Sequence, residues 1–407
     1  MKSELSLPSR GLENPVAYNE PWDVEVSVVM PCLNEADTLQ TCITKVQRAL
    51  HENNIVGEII VADNGSTDGS QATAICAGAR VIDVEAKGYG NALMGGIAAA
   101  HGKFIIIGDA DDSYDFLEVP RFVERLRDGY DLVQGCRLPR GGGTIMPGAM
   151  PFLHRWCGNP MFSALARRWF KADAVHDVYC GLRGFTMDLF RRLNQRCTGM
   201  EFATEMIIKA SLFRERITEV PITLHPDGRK SHAPHLKTFR DGWRTLRFFL
   251  MYSPRWLFVI PGLLMILLGL VGYGLAMPGM EIAGVAFDAH TLLFASLAIL
   301  CGYQSILFAV FTKTFAIGEG LMPDDPFFTW FCETLNLERG LLLAATVMLI
   351  GLALLVAAIN QWQVAHFGLL DYAQTMRLVV PGVTLTALGF QTILSSFFVS
   401  ILGMRRR

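Results

Sequence analysis

Three carboxylates crowd the run Asp109-Ala110-Asp111-Asp112, directly after the apolar stretch Phe104-Ile105-Ile106-Ile107-Gly108. A buried strand that ends this way concentrates negative charge that neither water nor packing favours, so a bound divalent cation is the simplest compensation. A cation held there would in turn bring in a polyanion. A lone acidic turn after a strand is common and carries little by itself. The weight comes from the neighbouring segments.

Such a cluster has to be delivered by a sheet. Val26-Ser27-Val28-Val29-Met30, Glu58-Ile59-Ile60-Val61-Ala62, Arg80-Val81-Ile82-Asp83-Val84 and Phe104 to Gly108 read as short strands, and Ala36 to His51, Gly69 to Ala77 and Asn91 to His101 have helix length. This alternation predicts βαβ units, a mainly parallel sheet and helices on both faces. Ligands in such sheets sit beyond the carboxyl ends of the strands, so the polar residues after each run should converge. After the first run stand Pro31-Cys32-Leu33-Asn34-Glu35, where a carboxylate suits ribose hydroxyls. After the second, Asp63-Asn64-Gly65-Ser66-Thr67-Asp68-Gly69 offers Asp63 to a base edge or a ribose, with Asp68 suited to capping the next helix. After the third, Lys87-Gly88-Tyr89-Gly90-Asn91-Ala92 opens a helix, Gly88 allowing close approach of a phosphate and Lys87 supplying charge.

In this order the motifs resemble glycosyltransferase family 2, and within it the polyprenyl-phosphate and dolichol-phosphate sugar synthases, over roughly residues 24 to 230. The resemblance implies an α/β GT-A catalytic domain, Rossmann-like with a mainly parallel sheet, that binds a UDP- or GDP-linked sugar with Mg²⁺ or Mn²⁺. By motif position Pro31 and Glu35 would contact the nucleoside, Asp63 the base, Asp109 the ribose or donor sugar and Asp111 the metal. Leu33, Asn34, Lys87, Gly88 and Ala110 complete the expected nucleotide-sugar site. Two positions depart from the family pattern: its usual second aspartate after the second strand is Asn64, and the polar residue two places after the metal aspartate, often Gln, is Ser113. The second protein ligand to the metal is therefore open between Asp112 and Ser113.

Downstream, Asp131 to Arg137 is a further strand-like run ending in a cation, and Asp177-Val178-Tyr179-Cys180-Gly181-Leu182-Arg183-Gly184-Phe185 resembles the segment that builds the reaction-side wall in this family. Guanidinium forks suit phosphate oxygens, so Arg137 and Arg183 are the expected holders of the acceptor phosphate or departing diphosphate. Arg229-Lys230-Ser231 fits a segment closing near the pyrophosphate in the family picture. The Gly-rich, Met-bearing stretch from Arg140 to Pro151 reads either as a lid that meets lipid or as a plain loop. Glu201 and Glu205, one turn apart, either face the acceptor pocket or lie on an exposed helix face. His225, His232 and His235 have no Cys or fourth ligand nearby and argue weakly for zinc.

Of the 407 residues 51% are hydrophobic and 18% charged, a skew towards the membrane class that is confined to the second half. Between Phe258 and Thr312 the only formal charges are Glu281 and Asp288. Crossing a hydrocarbon core of about 30 Å takes about 20 apolar residues, which predicts four spanning helices near 257–276, 290–311, 340–360 and 378–402. Lys and Arg concentrate in Lys237 to Arg255, at Lys313 and Arg339 and in Arg405 to Arg407, which places both termini in the cytoplasm at the inner (plasma) membrane. The polar start lacks the apolar core of a signal peptide. Ahead of the first span Leu236, Phe239, Trp243, Leu246 and Leu250 form a helical stripe beside Arg240, Arg244 and Arg247, predicting an interfacial helix. The other reading of that stripe is a helix packed on the soluble core. The expected organisation is a polar tail (1–23), the GT-A domain (24–235), an amphipathic interfacial region (236–256) and an all-α four-helix transmembrane domain (257–407). A homo-oligomer is compatible with this arrangement. The net charge of −2 speaks against nucleic acid as a partner, and nine cysteines without a Cys-x-x-Cys pair read as reduced and structural.

The resemblance implies inverting transfer of a sugar from a nucleotide sugar to a polyprenyl phosphate. A phosphate monoester has its second pKa near about 6, so the nucleophile is largely ionised at neutral pH and needs no general base. Rival readings are a processive or other-acceptor membrane glycosyltransferase and a catalytically silent scaffold. The processive enzymes carry a Gln-x-x-Arg-Trp string, which is absent here, and the intact Asp109 and Asp111 argue against the scaffold.

Overall fold

The structure, a computed structural model, describes residues 24–229 and 238–404, with side chains in the second stretch described from Gly242. The tail 1–23, Lys230, Ser231, His232, His235, Leu236 and Arg405 to Arg407 lie outside the described residues, as do the side chains of Phe239 and Arg240. The chain forms two compact units that divide between Tyr252 and Ser253.

The first unit is built on β1 (Val24–Cys32), β2 (Gly57–Asp63), β3 (Arg80–Asp83), β4 (Gly102–Ile107), β5 (Leu132–Cys136), β6 (Thr144–Ile145), β7 (Arg183–Thr186), β8 (Ile217–Pro221) and β9 (Thr223–Leu224). Seven of these form one sheet in the order β3-β2-β1-β4-β7-β5-β8, parallel except that β7 runs antiparallel between β4 and β5. Helices α1 (Leu39–Glu52), α2 (Ser70–Cys76), α3 (Tyr89–Ala98), α4 (Val119–Arg127), α5 (Asn159–Phe170), α6 (Met187–Leu193), α7 (Glu201–Leu212) and α8 (Thr238–Met251) cover it. Both faces are apolar: Val28, Met30 and Ile106 pack under α1 and α4, whereas Val29, Ile105 and Ile107 pack under α3 and α7. That two-sided burial is why the strands read as continuous Val and Ile runs. Sheet order reverses direction between β1 and β4, so the turns after these strands open a crevice.

Two expectations change here. The stretch after Arg140 is pinned, because β6 pairs in parallel with β9 and the Met146 N–H donates to the Leu224 carbonyl at 3.0 Å. Helix α8 belongs to this unit rather than to a separate region: Thr245, Phe248 and Phe249 are buried, with Phe249 edge-on to Phe162 and Phe170. Its Trp243 and Met251 stay exposed. Of the stripe seen in the sequence, the described residues Leu246 and Leu250 are only half-buried, since the core takes the neighbouring aromatic face.

Helix α7 carries a fully buried ion pair, Glu205 with Lys209, at 2.7 Å. Glu205 also accepts from the backbone N–H of Arg196 (3.0 Å) and Cys197 (2.8 Å) and from the Tyr252 hydroxyl (3.3 Å). Lys209 donates to the carbonyls of Leu193 and Asn194, both at 3.0 Å. The pair therefore holds the whole 193–197 segment in place.

The second unit contains α9 (Ile260–Ala276), α10 (Ala289–Gly318), α11 (Pro326–Thr334), α12 (Leu337–Val364) and α13 (Tyr372–Leu402). Four helices, Arg255–Ala276, Ala289–Gly318, Leu337–Val364 and Tyr372–Leu402, are long and apolar enough to cross a membrane, in agreement with the four predicted spans. Leu263, Leu264, Leu267 and Leu268 are exposed on α9, as lipid-facing side chains are. Where helices touch, small residues let backbones approach: a methyl at Gly262 would meet the Gly302 carbonyl at 2.8 Å, and one at Gly351 would meet the Gly382 carbonyl at 2.8 Å. Tyr303 and Thr392 share a hydrogen bond of 2.6 Å between α10 and α13.

Replacing Lys209 by Met leaves Glu205 buried and uncompensated, so Lys209→Met should destabilise the protein by about 3–5 kcal/mol. Adding Glu205→Met should recover much of the loss in a thermal melt.

Candidate functional site

The turn after β4 is fixed from beneath. The Thr38 hydroxyl donates to the Ala110 carbonyl at 2.6 Å, the Gly228 N–H to that of Asp111 at 3.0 Å, and the His225 N–H to that of Ser113 at 2.9 Å. Four carboxylates come together as the sequence implied, and cations of the chain itself answer them. Arg229 lies over the crevice, donating Nε to Glu35 and Nη2 to Asp111, each at 2.8 Å. Burial works against the Arg229 charge, but Asp111, Glu35 and Asp227 hold its pKa above the ordinary range. Asp112, at φ +60°, turns instead onto Lys45 at 2.8 Å. The Ser113 hydroxyl donates to Asp111 at 2.6 Å. Of the two candidates for a second metal ligand, Ser113 is thus on Asp111 and Asp112 is committed to Lys45.

Asp109 accepts from the Tyr89 hydroxyl at 2.9 Å. Burial and the neighbouring Asp111 charge push its carboxyl up to about 6 against the pull of Tyr89, Arg229 and Arg137. A cavity opens beside it, walled by Tyr89, Tyr179, Gly181, Glu201 and Arg244.

The nucleoside-side residues meet at the ends of β1 and β2. Pro31 is half-buried, Leu33 is exposed, and Asn34 at φ +62° accepts the Thr67 N–H at 2.8 Å. Asp63 is buried and accepts from Gly65 N–H (3.0 Å), Ser66 N–H (3.1 Å) and Gln71 Nε2 (2.6 Å). Burial alone would raise its pKa, yet these hydrogen bonds hold it below the usual carboxylate range. Asp68 accepts from Ser70 and from the Ala36 N–H at 2.9 Å, joining the first two turns as a structural residue.

Asn64, the departure from the family pattern, acts as a clip. Its Nδ2 donates to the carbonyls of Val84 (2.8 Å) and Ala86 (2.9 Å), and its Oδ1 accepts the Gly88 N–H at 2.8 Å. A carboxylate could not donate those two bonds. Lys87 donates to the Asn64 carbonyl at 2.6 Å. Gly88 (φ +131°) and Gly90 are closely approached by the Thr198 and Cys197 carbonyls, so in this structure protein backbone fills the space a side chain there would need. The Glu205–Lys209 pair, by holding the 193–197 segment, thereby supports the turn that aims Tyr89 at Asp109.

The two arginines expected at the acceptor phosphate are placed differently. Arg183, on β7, is fully buried and donates to the Ala203 and Cys180 carbonyls at 2.6 Å each, and burial pushes its pKa down. With no exposed atom it is not an acceptor clamp in this structure. Arg137 grips Asp177 with Nε (2.7 Å) and Nη2 (2.9 Å), a buried fork that holds its pKa well above the ordinary range despite burial. Its Nη1 donates to the Tyr114 hydroxyl at 3.4 Å. Sequence reasoning missed Asp177 as the partner because it lies 40 positions away. It also left Tyr89 unassigned, although its place between Gly88 and Gly90 could have flagged it. Glu201 lines the cavity, whereas Glu205 is internal. Among the described residues no group of three or more His, Cys, Asp or Glu side chains is set to hold a metal by itself.

Residues 27–193 match Glycosyl transferase family 2, and residues 310–403 match the Glycosyltransferase family 2 C-terminal transmembrane region. The low-salt glycan biosynthesis hexosyltransferase Agl6 of Haloferax volcanii is 38% identical over 93% of this chain and 89% of its own length. The dolichyl-phosphate hexose transferase of the same organism is 31% identical over 49% of this chain and 82% of its own. A crystal structure of Mycobacterium tuberculosis glucosyl-3-phosphoglycerate synthase with Mn²⁺, UDP and glucosyl-3-phosphoglycerate is 24% identical, covering 56% of this chain and 78% of that one with a TM-score of 0.43.

Removing the Tyr89 hydroxyl takes a donor from a half-buried carboxylate. Tyr89→Phe should lower kcat/KM by about 10- to 100-fold while the melting temperature stays near that of the wild type.

Proposed function

Because the chain belongs to glycosyltransferase family 2, we propose that it transfers a hexosyl group from a UDP- or GDP-linked sugar to a polyprenyl phosphate, with inversion, at the cytoplasmic face of the plasma membrane. The observation that carries this reading is the convergence of Glu35, Asp109 and Asp111 at the carboxyl ends of parallel strands, with Arg229 across Glu35 and Asp111, in a chain with four helices long and apolar enough to span a membrane. The hexosyltransferase names of the two Haloferax relatives support a hexosyl donor, and the dolichyl-phosphate hexose transferase supports a dolichyl-phosphate acceptor. The basic residues flanking the spans support the cytoplasmic orientation.

The donor set suits Mg²⁺ or Mn²⁺. These ions are commonly held by one or two carboxylates with substrate phosphates completing the shell, and Asp111 with the Ser113 hydroxyl beside it matches that pattern. When bound, the cation supplies charge neutralisation for the departing diphosphate. Glu35 binds the nucleoside, with buried Asp63 holding the turn after β2 that borders it, Asp109 orients the ribose or sugar, and Arg229 moves from Asp111 to the diphosphate. The acceptor phosphate arrives already ionised, so no side chain has to take a proton from it. Arg137, held on Asp177 and Tyr114, lends positive charge to the Asp109 side of the site. Mass spectrometry of the lipid product after incubation with a panel of nucleotide sugars and polyprenyl phosphate tests the reading directly.

Asp111→Asn should abolish transfer without unfolding the protein, and chelation should do the same reversibly, with Mg²⁺ or Mn²⁺ restoring turnover. Arg229→Met removes the internal competitor for Asp111. Mn²⁺ binding without donor, followed by electron paramagnetic resonance, should then tighten by about tenfold, equivalent to ~1.4 kcal/mol, while KM for the donor rises.

A further inference from the structure

The cavity beside Asp109 has a chemistry of its own. Two carboxylates line it, Asp109 after β4 and Glu201 at the first residue of α7, together with Tyr89 and Tyr179. Each carboxylate rests against a glycine: a methyl at Gly181 would meet Asp109 Oδ2 at 2.7 Å, and one at Gly199 would meet Glu201 Oε2 at 2.7 Å. The Glu201 side chain is 19% exposed, and Arg244 Nε lies 4.0 Å from its Oε1, on the α8 side of the opening.

An ionised carboxylate offers only acceptors, and a pair of them suits an occupant rich in hydroxyl donors with an apolar face for the rings. A pyranose has both. The lipid phosphate is the other candidate occupant, and among the residues lining the cavity it would meet two carboxylates for one arginine. We propose that this cavity seats the transferred hexosyl group and that Glu201 reads one or more of its hydroxyls, making it a specificity-determining residue. This rests on the glycosyltransfer reading above.

The test uses the full chain in detergent with UDP-glucose, GDP-mannose, their monodeoxy analogues, and UDP and GDP. For whichever donor the wild type turns over, deleting the hydroxyl that Glu201 reads should lower kcat/KM by about 10- to 100-fold. Glu201→Ala should lose a similar factor with the intact donor and be indifferent to that deletion, with Glu201→Asp keeping part of the discrimination. Binding of UDP or GDP, measured by calorimetry, should be unchanged in both variants. The inference is overturned if Glu201→Ala keeps the wild-type ranking of deoxy donors, if nucleoside diphosphate binding falls with the rest, or if only KM for polyprenyl phosphate moves. A wild type that binds nucleoside diphosphates but transfers from no nucleotide sugar overturns the function reading, and this one with it.

Discussion

Repulsion among carboxylates at the carboxyl edge of the sheet is the constraint around which the first unit is arranged. Glu35, Asp109, Asp111 and Asp112 are brought together by β1 and β4, and like charges this close in a half-buried crevice are unfavourable without compensation. The chain answers with Arg229 across Glu35 and Asp111 and with Lys45 on Asp112. What remains uncompensated shows in Asp109, whose carboxyl is lifted to about 6 by burial and by Asp111. In the proposed reaction Arg229 exchanges one anionic partner for another.

Around this edge lie internal supports. The Asn64 amide stitches the end of β2 to the turn before α3, and the Glu205–Lys209 pair holds the segment against which Gly88 and Gly90 pack. The Arg137–Asp177 fork joins the end of β5 to the loop before β7. Buried ion pairs of this kind add little net stability, but breaking one is costly, so they confer a single arrangement more than strength. Their effect is to keep Tyr89, Asp109 and Glu201 facing one cavity from three different elements.

Helix α8 shows how packing selects among readings of one amphipathic pattern. Its leucines and arginines repeat as an interfacial helix would, yet the aromatic residues Phe248 and Phe249 fill a gap among α5 residues, and burying large rings outweighs the weaker preference of the leucine stripe. The same logic applies to the segment after Arg140. Its Gly-rich composition read as a lid or a plain loop, but the short parallel pairing of β6 with β9 supplies partners for its backbone.

Much was legible in the sequence by itself. The Val and Ile runs dictated two-sided burial and hence a parallel sheet, the residues after those runs had to gather at one edge, and the four long apolar segments had to form helices able to span a bilayer. These follow from local periodicity and chain direction. What only the tertiary structure decided is which charges face each other. Arg137 and Arg183 carry the same chemistry in the sequence as Arg229, but the first closes on an aspartate 40 positions away, the second is buried on β7 against the Ala203 carbonyl, and the third alone bridges the acidic crevice. Partnerships of that kind depend on distance in space and on the water that remains, and neither is written in the spacing of residues along a chain.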